Sequence, residues 1–168
     1  DTKLGDERLL DGSMGQFMGY DLYVSNQLLG EAVLSMATQP TANDTVTIDS
    51  VTFTFVSPIG TTPGNVLIGA NVDTTRASLA ALLAAPGTTA ADRVGFTTTS
   101  TSYKKLTNRI ISATNSNSAD TLTVKYAGRS ALVVSETLTD ATDTWTSTKT
   151  TCDCFFSAGE PVDLVTQI

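Results

Sequence analysis

Histidine is absent from this chain. That removes the side chain most often used as a general base near neutral pH, and the commonest zinc ligand with it. Charge is scarce as well. Asp, Glu, Lys and Arg make up 16% of the residues, against roughly 25% in an average globular domain. The ten Lys and Arg are scattered, with Lys104-Lys105 the densest basic pair, and the net charge is −7 with a pI near 4.3. Nucleic-acid binding rests on clustered cations that displace counterions from phosphates, so direct binding of DNA or RNA is not expected. No apolar run reaches the ~18 residues of a membrane-spanning helix, no signal peptide is visible, and no membrane association is expected. The chain begins at Asp1 rather than Met, so we read it as a section of a longer polypeptide or a processed product. Cysteine is limited to Cys152 and Cys154. On a strand their Cα atoms stand roughly 6.5–7 Å apart, at the upper limit for a disulfide. They read as ordinary thiols of a reducing compartment, and without histidine they make a poor metal site.

Threonine fills the space that charge leaves. It accounts for 30 of the 168 residues, and 28 of those follow Pro40. A β-branched residue with a small polar head suits the half-exposed face of a sheet. With 40% hydrophobic residues, the chain has enough apolar material for a packed core. Composition divides it into a Gly-, Leu- and Met-rich segment 1–37, a Thr-, Ala- and Asn-rich segment 38–150, and a more apolar segment 151–168.

Alternation locates the strands. Tyr20, Leu22 and Val24 share one face of a first strand, with a turn expected at Ser25-Asn26. Ala32, Leu34 and Met36 share a face of a second, over 31–36. The clearest local pattern is Thr45-Val46-Thr47-Ile48 and Val51-Thr52-Phe53-Thr54-Phe55 around Asp49-Ser50. Closing a two-residue turn there pairs Ile48 with Val51 and Val46 with Phe53, making one face wholly apolar. Asp-Ser is a weaker turn than Asp-Gly, so a longer loop is also open. A Pro- and Gly-containing loop follows at 57–64, then a short strand over 65–70. Residues 73–85 read as an amphipathic helix with Asp73 as N-cap and an apolar stripe of Val72, Leu79, Leu82 and Leu83, ended by Pro86-Gly87. Residues 97–101 are strand or loop. Strands are expected over 109–113, 121–126, 131–139 and from Trp145 towards Cys154, with turns at 115–118 and 140–143. The expected fold class is α+β, mainly antiparallel β with one short amphipathic helix. The expected core of the middle segment is Val46, Ile48, Val51, Phe53, Phe55, Leu79, Leu82 and Leu83.

A search for chemistry returns little. A Ser or Thr nucleophile needs a base, and Lys104, Lys105, Lys125 and Lys149 sit in no motif, so they read as solvated surface charges. The paired carboxylates Asp6-Glu7, Asp140 with Asp143, and Glu160 with Asp163 fall in expected loops or chain ends, where turn capping explains them. Asp140-Ala141-Thr142-Asp143 lacks the spacing of a calcium loop. Gly12, Gly15 and Gly19 do not form G-x-G-x-x-G, and they read as places where the backbone turns or approaches a neighbour. Asn43-Asp44-Thr45 fits the glycosylation pattern, which arises by chance in a Thr- and Asn-rich chain. Tyr103 and Trp145 read as core or interface anchors. We expect no catalytic residues, no metal and no cofactor, and so a protein that is not an enzyme.

Two segments carry a resemblance. Leu10 to Asn26, which reads LDGSMGQFMGYDLYVSN, resembles the G-x-x-G-x-x-x-G-[FY]-x-[VI]-Y-x-S-N segment of tailed-phage major capsid proteins, through Gly12, Gly15, Gly19, Tyr20, Asp21, Tyr23, Ser25 and Asn26. Phe155 to Gln167 resembles their downstream A-[IV]-x-L-V-x-Q segment, with Glu160-Pro161 where a small residue is usual. Between them, Thr45 to Val56, Asn65 to Gly69 and Leu79 to Leu83 resemble a domain found inserted in phage structural proteins, with Ser50 where Gly is usual. The resemblance implies capsid-type segments 1–37 and 151–168 flanking a β-rich insertion domain, 38–150. It implies part of a major capsid subunit, made in the host cytoplasm and located in the virion, that self-assembles with other copies of itself into an icosahedral head. The insert would project from the surface or brace neighbouring subunits, and other virion proteins are further partners. Two rivals share the β-rich, Thr-rich character: a phage tail or Ig-like decoration domain, and a bacterial surface adhesion module.

Overall fold

The two-residue turn at Asp49-Ser50 forms as the alternation requires. In a computed structural model, which describes residues 13–17, 20–24, 29–127, 130–147 and 154–157, β4 (Thr45–Ile48) and β5 (Val51–Val56) pair antiparallel with Ile48 opposite Val51 and Val46 opposite Phe53. Asp49 and Ser50 both take positive φ, 45° and 67°. That is the type I′ geometry whose twist matches the strands it joins.

The chain divides into two compact units, one formed by Asp1–Leu28 with Thr151–Ile168, the other by Leu29–Thr150. The first contains a three-stranded antiparallel sheet in the order β1 (Ser13–Phe17), β2 (Tyr20–Val24) and β11 (Cys154–Ser157). Strands from opposite ends of the sequence are therefore neighbours, with Cys154 opposite Val24 and Ser157 opposite Asp21. The boundary between units falls after Leu28, not after residue 37. The reason is pairing: β3 (Leu29–Ser35) runs antiparallel to β8 (Thr121–Ala127) along its whole length. A segment grouped with the N-terminus by composition thus belongs to the second unit by its hydrogen bonds.

The second unit holds two four-stranded sheets. One has the order β10 (Trp145–Ser147), β3, β8, β7 (Ile110–Ser116); the other β6 (Asn65–Leu67), β5, β4, β9 (Val134–Glu136). Their apolar faces share one core. Ala32, Leu34, Met36, Leu122, Val124 and Tyr126 come from the first sheet, and Val46, Phe53, Phe55 and Val66 from the second, all fully buried. The outward positions carry Thr and Ser instead: Thr47 faces Thr52 and Ser135, and Thr114 faces Thr123. The expected α+β class holds, and most strand pairs are antiparallel. The exception is β5 with β6, which are parallel and joined by the loop 57–64. Gly64 ends that loop at φ 88°, where a Cβ would press on the Thr52 carbonyl. The outer edge of β6 is covered by 92–94, through Leu67 N–H to Asp92 O at 2.8 Å and Val94 N–H to Asn65 O at 2.9 Å.

Two helices, not one, accompany the sheets among the described residues. Helix α1 (Val72–Ala84) lies against β7 and β6 and buries Leu79, Leu82 and Leu83. Its N-cap is Asn71 rather than Asp73. Asn71 Oδ1 accepts from Thr74 N–H at 2.9 Å, and the Thr74 hydroxyl oxygen accepts from Asn71 N–H at 3.3 Å, forming a capping box. Asp73 lies two residues on, within the first turn. Helix α2 (Thr101–Arg109), capped by Ser100, is not among the expected elements; it takes in Thr101, read as strand or loop, and Arg109, read as the start of a strand. Only Leu106 of α2 is buried, so its sequence lacks the apolar stripe by which a helix is recognised. Strand β7 then starts at Ile110 and extends to Ser116, moving the turn expected at 115–118 to 117–120. The strand expected over 131–139 shrinks to β9.

Candidate functional site

Of the carboxylate pairs noted in the sequence, Asp140 with Asp143 lies among the described residues, and both side chains accept backbone N–H groups. Asp143, 3% exposed, accepts from Ala37 N–H at 2.8 Å and Thr38 N–H at 3.2 Å. Asp140 accepts from Thr142 N–H at 2.9 Å, from the Thr142 hydroxyl at 2.7 Å and from the Thr38 hydroxyl at 2.8 Å. These bonds hold the Asp140 carboxyl below its ordinary pKa of 3.8. Together the two aspartates fasten the end of β3 to the 140–143 turn. This is capping of the chain at the end of β3. Asp44 does the same one strand away. Burial raises its pKa, but hydrogen bonds from Thr41 and Thr139 outweigh this and bring it below 3.8. No group of three or more His, Cys, Asp and Glu among the described residues could hold a metal ion. No described helix is long and apolar enough to cross a membrane.

Two polar clusters escaped sequence reasoning. The first surrounds Arg76, whose side chain is fully buried. Its guanidinium donates to Asp73 and to the Met36 carbonyl, to Asn115 Oδ1 at 3.0 Å and to Asp120 at 3.2 Å. Charge-assisted bonds of this kind are what make a buried cation tolerable. One arginine thus joins α1, β3, β7 and the turn before β8. The Asp73-Arg76 spacing on a helix was a visible signal; Asn115 and Asp120 had none.

The second cluster centres on Asp49. Its carboxylate accepts from Arg109 Nε at 3.0 Å and from Val133 N–H at 3.0 Å. Arg109 donates onward to the Ser130 carbonyl at 3.1 Å, and its guanidinium lies 5.5 Å from the Tyr126 ring centroid. The hairpin turn, α2, β8 and the approach to β9 are tied together there.

The remaining candidates are placed as follows. Lys104, Lys105 and Lys125 are exposed. Tyr103 and Trp145 are partly buried against the core. Asn43 is exposed at φ 78°, and the Thr45 hydroxyl of that tripeptide pairs with Thr137 at 2.9 Å. Val46, Ile48, Val51, Phe53, Phe55, Leu79, Leu82 and Leu83 are each at most 2% exposed. Gly15 lies in β1, and Tyr20, Asp21 and Tyr23 in β2. Gly12, Gly19, Ser25, Asn26, Cys152, Lys149, Asp6, Glu7, Glu160 and Asp163 lie outside the described residues. Comparison with protein-family models, with curated proteins and with solved structures gives no match to this chain.

Proposed function

We propose that this chain is a non-enzymatic, structural virion protein: part of a capsid subunit that self-assembles with other copies of itself, with the Leu29–Thr150 unit inserted into it. The observation that carries this reading is topological. The chain forms β2, builds a second compact unit, and returns as β11 to pair with β2. This is how a domain inserted into a host domain is connected, and the adjacent antiparallel strands β3 and β10 bring its two ends together. The resemblance of 10–26 and 155–167 to capsid segments supplies the identity of the host, and the low-charge, hydroxyl-rich faces suit repeated protein contacts.

Immunogold labelling of intact purified virions, with an antibody raised against residues 41–150, tests the reading. Gold over the heads is expected. Gold confined to tails would move the protein to the tail. Absence of signal from every virion fraction, intact or disrupted, would sink the virion assignment.

A further inference from the structure

The Leu29–Thr150 unit is chemically polar along its strands. β3 runs from Leu29, opposite Ala127, to Ser35, opposite Thr121, and β10 returns beside it from Trp145 to Ser147. The chain therefore comes in and leaves at one end, the base, and the other end is a tip. The base carries the Asp49-Ser50 turn and the C-terminus of α2. Helix α2 has no acidic residue, and its Lys104 and Lys105 are exposed. The two exposed large hydrophobics among the described residues are Ile111, 54% exposed, and Val133, 70% exposed. Both lie at the base. Ile111 sits in the irregular step between the Ile110–Tyr126 and Ser112–Lys125 pairs, and Val133 exchanges hydrogen bonds with Asp49. The tip has the opposite character. Asp73 and Asp120, both partly exposed, pair with the buried Arg76 where α1 and β8 begin, and Asp140 lies beyond the end of β3, bonded to the Thr38 hydroxyl.

We propose that the base is a docking surface for the acidic tip of a second copy of this chain, in a head-to-tail contact. Exposed ion pairs contribute only about 0–1 kcal/mol each, so Lys104 and Lys105 act mainly by steering and orienting the acidic partner. Ile111 and Val133 supply apolar surface to bury. Base and tip are different surfaces, so the contact is heterologous and leaves each copy with one free end, which lets association propagate. The inference names the surfaces, and it stands whether or not the assembly is a virion.

Sedimentation velocity of the full chain tests it. Association that grows with concentration is expected at about 0.02 M salt and is expected to weaken at about 0.5 M, where screening is strong. Lys104→Glu with Lys105→Glu should weaken association at least about tenfold with little shift of the unfolding midpoint, because both side chains are exposed and the one bond lost, from Lys105 Nζ to the Asp49 carbonyl, is long at 3.4 Å. Asp140→Lys should weaken it too. Mixing the two variants should restore pairwise association, since the native base of the Asp140→Lys chain then meets the native tip of the lysine double variant. A chain that stays monomeric at low salt overturns the proposal without needing any variant. Association indifferent to the double lysine reversal, or a mixture no better than its components, overturns it equally.

Discussion

Gly30 lies directly opposite Tyr126 across β3 and β8, and the tyrosine ring covers the space where a side chain at residue 30 would be. Tyr126 is fully buried, and Arg109 stacks on it from α2. The ring therefore cannot swing aside without giving up both its burial and its cation. A glycine that reads as a weak point in a strand is here the position that admits a large aromatic.

Gly30→Ala should destabilise the protein by roughly 1–3 kcal/mol through overpacking. Urea unfolding of Gly30→Ala, Tyr126→Leu and the double variant measures it. The double variant should lose less than the sum of the two single losses, because the shorter side chain frees the space. Additive losses would mean the two residues do not share it.

Replacing Arg76 by Leu should cost roughly 2–3 kcal/mol. That is below the ~3–5 kcal/mol of a fully buried pair, because Asp73 and Asp120 keep solvent contact. The loss comes from the unpaired Met36 carbonyl and Asn115 amide and from two carboxylates left without their cation. A neutral result in thermal unfolding would show that the buried guanidinium contributes no net stability.

Ser50→Gly should stabilise the hairpin by about 0.5–1 kcal/mol, since glycine accepts the positive φ of the turn without a Cβ penalty. Asp49→Gly should destabilise despite the same backbone argument, because Arg109 and Val133 lose their acceptor. Urea midpoints with unchanged slopes would separate the two effects. Equal shifts of the same sign would refute the role given to the Asp49 carboxylate.

The acid limb of the stability curve should be steeper than that of a protein whose carboxylates are unperturbed. Asp44 and Asp140 have folded-state pKa values below 3.8, so the unfolded state binds more protons as pH falls. The stability they confer is complete above about pH 5 and is lost as pH drops through the folded values. With no histidine to titrate, little change is expected between about pH 5 and 8. Asp44→Asn should flatten the fall below pH 4 in thermal midpoints recorded against pH. An unchanged slope would remove Asp44 from the acid response.

A polypeptide of residues 29–150 should fold alone, since its strands and core are complete within that range. Cooperative thermal unfolding, with far-ultraviolet dichroism rich in strand, is the expected result. A molten profile would mean that the flanking segments are part of its core.

What this sequence by itself determined is local. Alternation of Thr with Val, Ile and Phe decided which faces of β4 and β5 turn inward, and the same period set Ala32, Leu34 and Met36 and Leu122, Val124 and Tyr126 to the core. A strand's faces follow from a period of two, which needs no knowledge of its neighbours. The run of Leu79, Leu82 and Leu83 before Pro86-Gly87 marked α1 for a similar reason. Only the tertiary structure decided which strands meet. Nothing in β3 names β8 as its partner, and the composition of 29–37 pointed to the N-terminal segment. The parallel pairing of β6 with β5, the helix α2 with one buried residue, and the gathering of Asp73, Asn115 and Asp120 on Arg76 all depend on contacts between residues far apart in the chain. Such contacts form because the core and its buried polar groups must be satisfied together, and that requirement leaves no periodic trace along the sequence.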